Sequence, residues 1–229
     1  NQQNAVITVR WKGGFMGNFS LKFDKFWETF IKYNGYVKVL EGLKNTLTIA
    51  VLGLIIGIVI GTLIATARVI PQYKVLPRIL NKICSFYVAL FRGTPIVVQL
   101  LVFYYVLLPL MGSRMTGIQV AVMVFGLNSA AYISEIMRGG IMSVDSGQME
   151  AGRAVGLSFG TTMLKIVIPQ AVKNILPTMG NELIALIKDT SVVSFVGATD
   201  LYVAFSFIGS SNYEFMVPYL VMALIYIVL

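Results

Sequence analysis

The chain has 229 residues, 57% of them hydrophobic and only 12% charged, with a mean hydropathy of +0.79; soluble domains carry roughly 25% charged residues. That composition excludes an ordinary soluble fold and makes the net charge of +8 a mark of basic loops beside an anionic membrane rather than of nucleic-acid binding. The lack of histidine, the single Cys84 and the lack of a GxxxxGK[ST] stretch exclude histidine catalysis, histidine metal sites, an intrachain disulfide and a P-loop for ATP.

Residues 1–45 form a leader that is aromatic and basic but not apolar enough to span. Its stretch FDKFWETFIKYNGYVKVL (23–40) reads either as an amphipathic helix lying in the membrane interface or as an irregular segment. Five spans are predicted in the region 46–229, at about 46–68, 85–108, 117–138, 174–196 and from 214 onward. The last apolar run, FMVPYLVMALIYIVL, is shorter than the roughly 20 residues a span needs, so the chain is expected to continue. Span one carries Gly53, Gly57 and Gly61 at four-residue spacing, which suits close helix packing within the subunit more than a dimer seam. Gly93-Thr94-Pro95 interrupts span two, and Pro95 is expected to kink it beside an aqueous cavity.

Loop charges give the orientation. Arg68, Lys74, Arg78 and Lys82 follow span one, and Arg138, Arg153, Lys165 and Lys173 follow span three. The loop after span two holds only Arg114, and the loop after span four has no Lys or Arg. Loops one and three are therefore expected in the cytoplasm and the N-terminus outside. The seven Lys and Arg residues of the leader pull the other way, but long segments translocate despite charge.

The cytoplasmic segment 143–170 is polar and punctuated by glycine. Asp145 and Gln148 have capping-box spacing, so a short helix is expected over about 146–155. Gly156 suits the left-handed residue that ends it. Ser158 or Thr161 can start a second helix, and Pro169 is expected to mark its exit into span four. Within this segment Glu150-Ala151-Gly152, three residues, Gly156, nine residues, then Ile166-Val167-Ile168-Pro169 resembles the EAA loop of ABC importer permeases. Gly152 stands for the second Ala and Ile168 for Leu. FRGTPIVVQ (91–99), the run 130–158, IPQAVKNILPTMGNE (168–182) and KDTSVVSFVGATDL (188–201) are similar to the polar amino-acid permeases of that class. The resemblance covers roughly 40–229; the leader has no strong match.

The resemblance implies an all-α membrane protein with the five-transmembrane-helix core of a type I ABC importer permease. It implies a second permease subunit, identical or related, ATP-binding subunits below, and a substrate-binding protein outside. ATP and Mg would bind the partner ATPase, so the chain itself would be neither an enzyme nor a cofactor binder, and no metal site is expected. The location implied is the bacterial inner (plasma) membrane, multi-pass and in contact with lipid. The cargo implied is a polar amino acid such as glutamine, glutamate, arginine, histidine or cystine. Glu150, Ala151, Gly152, Gly156 and Pro169 would couple to the ATPase. Glu150 would orient the two-helix knuckle or pair with a basic residue of the partner, and small Ala151 and Gly152 would allow close packing against it.

Charges inside spans need a partner or a use, because each costs a few kcal/mol at the bilayer centre. Asn181, Glu182, Ala185, Lys188 and Asp189 are expected on one polar helical face. With Thr190 and Ser191, and with Asn128 and Tyr132 on span three, they supply the acceptors and donors that a free amino acid requires. Lys188 and Asp189 also read as pairs that merely hold the bundle. Glu135 and Arg138 read as a gate or structural pair, and Arg92 and Pro95 fall in the same class. The alternative from another class is an ion-coupled secondary amino-acid transporter; such folds often show inverted repeats, and none is evident here. A scaffold without transport would leave the polar face of span four unused.

Overall fold

The structure is a computed structural model that describes residues 15–71 and 73–229; the rest of the leader expectation, residues 1–14, lies outside them. Every regular element among the described residues is a helix. We number them α1 (Phe15–Ile31), α2 (Gly35–Val69), α3 (Val75–Gly93), α4 (Ile96–Leu110), α5 (Gly117–Met142), α6 (Ser146–Ala154), α7 (Phe159–Val196), α8 (Leu201–Asn212) and α9 (Met216–Val228).

Helices α2 and α5 are each long and apolar enough to cross a bilayer. At 35 residues, α2 is roughly 52 Å long against a hydrocarbon core of about 30 Å, so part of it stands clear of the bilayer. The leader boundary at 45/46 therefore falls inside a continuous helix. Asn34, in the left-handed conformation at φ 55°, separates α1 from α2; Asn tolerates that geometry better than most residues.

The expected span over 85–108 needs correction. It is two helices, α3 and α4, bent by 107° at Thr94-Pro95. Pro95 has no N–H to give the carbonyl of Phe91, and its ring opposes a continued helix. Side chains take over. Gln99 Nε2 donates to Phe91 O at 2.8 Å and to Thr94 O at 3.0 Å, and Asn128 Nδ2 donates to Phe91 O at 3.3 Å. Thr94 Oγ1 donates to Leu90 O at 2.8 Å. The elbow is thus satisfied in its hydrogen bonds, which makes it a fixed corner rather than a soft joint.

Span four is also longer than expected, because α7 runs without a stop from Phe159 and then bends by 58° into α8. Pro169 does not mark a helix exit. A π-turn at Met163–Val167 precedes it, and this wider turn accommodates the proline ring and missing N–H. The same device, a π-turn at Phe103–Leu107, precedes Pro109 in α4. Helix α8 has no counterpart in the expected spans.

The core lies between α2, α4, α5 and α7, around Ile49, Leu100, Val124, Phe125, Leu186 and Val193. Its tightest seam joins α2 to α5. A Cβ on Gly57 would sit 2.6 Å from Ser129 Oγ, and one on Gly61 would sit 2.9 Å from Ala130 O. The glycine row therefore packs within the subunit. A second cluster, with Phe26, Leu201, Phe205 and Ile208, fixes α1 against α8. Asn212 Nδ2 donates to Lys25 O at 3.1 Å and to Thr29 Oγ1 at 3.0 Å, and Lys22 pairs with Glu214 at 3.3 Å. Phe19, Phe23, Trp27 and Ile31 stay exposed on α1, spaced four apart and hence on one stripe.

Candidate functional site

The α3–α4 elbow, α5 and α7 enclose a cavity of about 280 Å³, lined by Thr94, Pro95, Ile96, Asn128, Tyr132, Glu182, Ala185, Leu186 and Asp189. Four of the residues expected on a substrate path meet here: Asn128, Tyr132, Glu182 and Asp189. Four others do not line it: Asn181, Lys188, Thr190 and Ser191. The expected single polar face is too wide. At about 100° per residue, Glu182, Ala185, Leu186 and Asp189 fall within one sector, while Asn181 and Lys188 lie about 100° round. Both are exposed there. Thr190 is buried, and its hydroxyl donates to Ile187 O at 2.7 Å. Ser191 is half-buried.

The polar groups of the cavity are held from behind. Ser129, fully buried against Gly57, donates to Glu182 Oε1 at 3.0 Å. Asn128 Nδ2 donates to Gln99 Oε1 at 3.0 Å as well as to Phe91 O. With both amide protons committed, Asn128 has only its Oδ1 acceptor left to offer a ligand. The two carboxylates of the lining are not matched by any Lys or Arg in it. The cavity therefore offers acceptors and negative charge. Gln99 and Ser129 escaped the sequence reading because Gln and Ser are unremarkable in a span; the proline gap that Gln99 fills is the signal that points to it.

A second cavity, about 440 Å³, continues along the α5–α7 groove toward α6. Its lining includes Glu135, Gly139, Gly140, Ser143, Asn174 and Thr178. Asn174 Nδ2 donates to Ser143 Oγ at 2.9 Å across this groove. Glu135 forms part of the wall of this second cavity, and three arginines converge on it. Arg68 binds Oε1, and Arg138 donates to Oε2 from Nη2 at 2.8 Å and from Nε at 3.2 Å. Arg92 Nη1 stands 4.0 Å from Oε2. Arg68 and Arg92 close the last turns of α2 and α3, so one carboxylate ties together the ends of two helices and the flank of α5. The pairing of Glu135 with Arg138 was expected; the reach of Arg68 was not, because a charge at a span end reads first as a topology signal. Pro95 forms the cavity wall at the elbow.

The knuckle of α6 and the first turns of α7 is built largely as its glycine and caps dictate. Asp145 Oδ1 accepts from Gly147 N at 2.7 Å. The reciprocal half of a capping box is missing, since Gln148 Oε1 instead accepts from Gln170 Nε2 at 3.4 Å. Gly156 takes φ +84°, and Leu157 N donates to Gly152 O and Gly156 N to Arg153 O, each at 3.0 Å. That double bond pattern closes a helix end. Ser158 caps α7 through Thr161 N at 3.2 Å. A Cβ on Gly152 would collide with the Thr162 side chain. Gly152 is therefore small for packing inside the knuckle, not for a partner surface as expected. Ala151 is exposed. Glu150 is exposed too, and among the described residues its carboxylate makes no hydrogen bond or ion pair. The orienting role within the knuckle has no contact to act through.

Comparisons with known proteins agree with this architecture. Residues 53–229 match the family model described as "Binding-protein-dependent transport system inner membrane component". The chain is 39% identical over 191 residues to the arginine transport system permease protein ArtQ of Bacillus subtilis (strain 168), covering 83% of this chain and 85% of the relative. It is 37% identical over 191 residues to a putative glutamine transport system permease protein GlnP of Rickettsia bellii (strain RML369-C), with the same coverage. A crystal structure of an amino acid ABC transporter with histidines superposes with a TM-score of 0.78 at 36% identity, covering 87% of this chain and 90% of that one. The methionine ABC transporter MetNI shares the fold, with a TM-score of 0.68 at 19% identity over 83% of this chain and 90% of that one. The chain is a multi-pass membrane permease and belongs to the family of binding-protein-dependent transport system inner membrane components.

Proposed function

We propose that this chain is the membrane-spanning half of an ATP-driven importer for a cationic amino acid. The observation that carries the cargo class is the cavity lining, which includes Glu182 and Asp189 and no Lys or Arg. An acidic, partly desolvated cavity favours a substrate with two cationic ends, because each unpaired charge inside a bundle is expensive. Lys188, which on sequence alone argued against such a cargo, lies on another face. Among the relatives, the permease named for arginine supports the same class, while those named for glutamine point to a neutral cargo.

In this reading the knuckle faces the cytoplasm and the N-terminus lies outside, which the charges of loops one and three support. Helix α1 lies in the outer interface on its exposed Phe19, Phe23, Trp27 and Ile31. Separate ATP-binding subunits hold ATP and Mg and dock on α6. A binding protein delivers the amino acid from outside, and a second permease subunit completes the path. ATP binding closes the ATPase pair, α6 moves with its groove, and the rigid elbow at Pro95 and the long α7 carry that motion to the cavity. Glu182 and Asp189 take the ammonium and the cationic side chain, while Asn128 Oδ1 and Tyr132 complete the shell.

The test is uptake by the complex, purified with its partners from its own membranes and rebuilt in liposomes. Arginine uptake should fall at least tenfold in Glu182→Gln, since a hydrogen bond to a charged group is worth about 1.5–3 kcal/mol. Copurification of the ATPase should be unaffected. Undiminished arginine uptake in the variant, or a wild-type complex that carries glutamine and ignores arginine, would remove the cationic reading.

A further inference from the structure

A free amino acid brings a carboxylate as well as an ammonium, and the cavity lining holds no cation to meet it. Its lining offers Glu182, Asp189, Asn128 and Tyr132 but no Lys or Arg. A carboxylate taken out of water needs donors or a cation.

Arg92 adjoins this cavity through Tyr132, with its guanidinium carbon 5.3 Å from the centroid of the Tyr132 ring. It is the least committed member of the arginine cluster. Both oxygens of Glu135 already have a partner, Oε1 in Arg68 and Oε2 in Arg138. Arg92 stands 4.0 Å off, outside hydrogen-bonding distance. Its side chain is 44% exposed, against 14% for that of Arg68. Three guanidinium groups around one carboxylate leave two positive charges over. The surplus is carried by part-exposed side chains, with Arg92 the most open of the three to an incoming anion.

We propose that Arg92 is the residue that binds the α-carboxylate of the substrate, at the rim of the cavity. The planar fork of a guanidinium matches a carboxylate with two parallel hydrogen bonds. The ammonium then points at Glu182 and Asp189, and the amino acid spans the wall that Tyr132 forms. This inference rests on the amino-acid permease reading above, but not on the cargo being cationic.

The test uses the purified permease–ATPase complex without binding protein, so that the permease site alone is read. Equilibrium binding is measured for L-arginine and L-argininamide, and for L-glutamine and L-glutaminamide. In the wild type the acid should bind roughly ten- to a hundredfold more tightly than its amide. Arg92→Leu should bring that ratio close to one while the amide still binds. Arg92→Lys should keep part of the preference, having the charge without the fork. A ratio unchanged in Arg92→Leu overturns the proposal, as does a wild type that does not distinguish acid from amide. Equal loss of acid and amide in both variants would also overturn it, in favour of a purely structural Arg92. If only the glutamine pair binds, the cationic reading fails and Arg92 is judged on that pair.

Discussion

Replacing Glu150 by Arg should leave the chain inserted and folded while ATP-driven uptake is lost. Glu150 is exposed on α6, with no hydrogen bond or ion pair to a described residue. It sits in the middle of the nine-residue helix, past the first turn where a carboxylate helps the helix dipole. Its substitution should therefore change stability by no more than about 0.5 kcal/mol, as for other surface sites. A role for it lies in what it meets. Around it α6 also exposes Ala151, and the turn beyond exposes Val155 and Leu157, a small surface suited to a groove. A reversed charge set against a complementary partner costs several kcal/mol. The checks are thermal unfolding in detergent, which should match the wild type, and uptake with substrate-stimulated ATPase, which should collapse. Normal uptake in Glu150→Arg would sink the lever mechanism.

Gly57→Leu should unfold the bundle or strip it of substrate binding. A Cβ at position 57 would already sit 2.6 Å from Ser129 Oγ, 2.8 Å from its Cβ and 3.1 Å from Ile133 Cδ1. Leu adds three more carbons to a seam with no space. Overpacking a core costs about 1–3 kcal/mol for modest insertions, and here the seam joins the two helices that cross the membrane unbroken. The damage is also directed. Ser129 is the group that holds Glu182 at 3.0 Å, so pushing α2 off α5 moves the carboxylate of the cavity. Gly57→Ala should act in the same direction but less. The measurement is the Tm of the purified complex together with arginine binding. A Gly57→Leu protein with wild-type Tm and affinity would mean that α2 and α5 do not meet as described.

Much of this was legible in the sequence because it depends on local rules. The glycine row of α2, the left-handed Gly156 and the proline break at Thr94-Pro95 each follow from what Gly and Pro permit. Other features depend on partners distant in sequence. Nothing local to Gln99 shows that it replaces the amide Pro95 lacks, or that Arg68 crosses to Glu135. Nor does the polar content of α7 tell which side chains turn inward. Glu182 and Lys188 are six residues apart, which separates them by roughly a third of a turn, and only the packing of α5 decides that Glu182 is the one in the cavity. The continuity of α7 through Pro169 was hidden for a similar reason, since a π-turn has no distinct sequence pattern.

The most direct test of the account is a single cysteine at Ala151. With Cys84 replaced by Ser, Ala151→Cys leaves one thiol, on the exposed face of α6. A membrane-impermeant maleimide should reach it only from the cytoplasmic side, and a short bifunctional crosslinker should join it to the ATP-binding subunit in a yield that changes with ATP. Labelling from outside, or a complex that transports but never crosslinks at this position, would contradict the claim that this knuckle transmits ATP hydrolysis to the membrane helices.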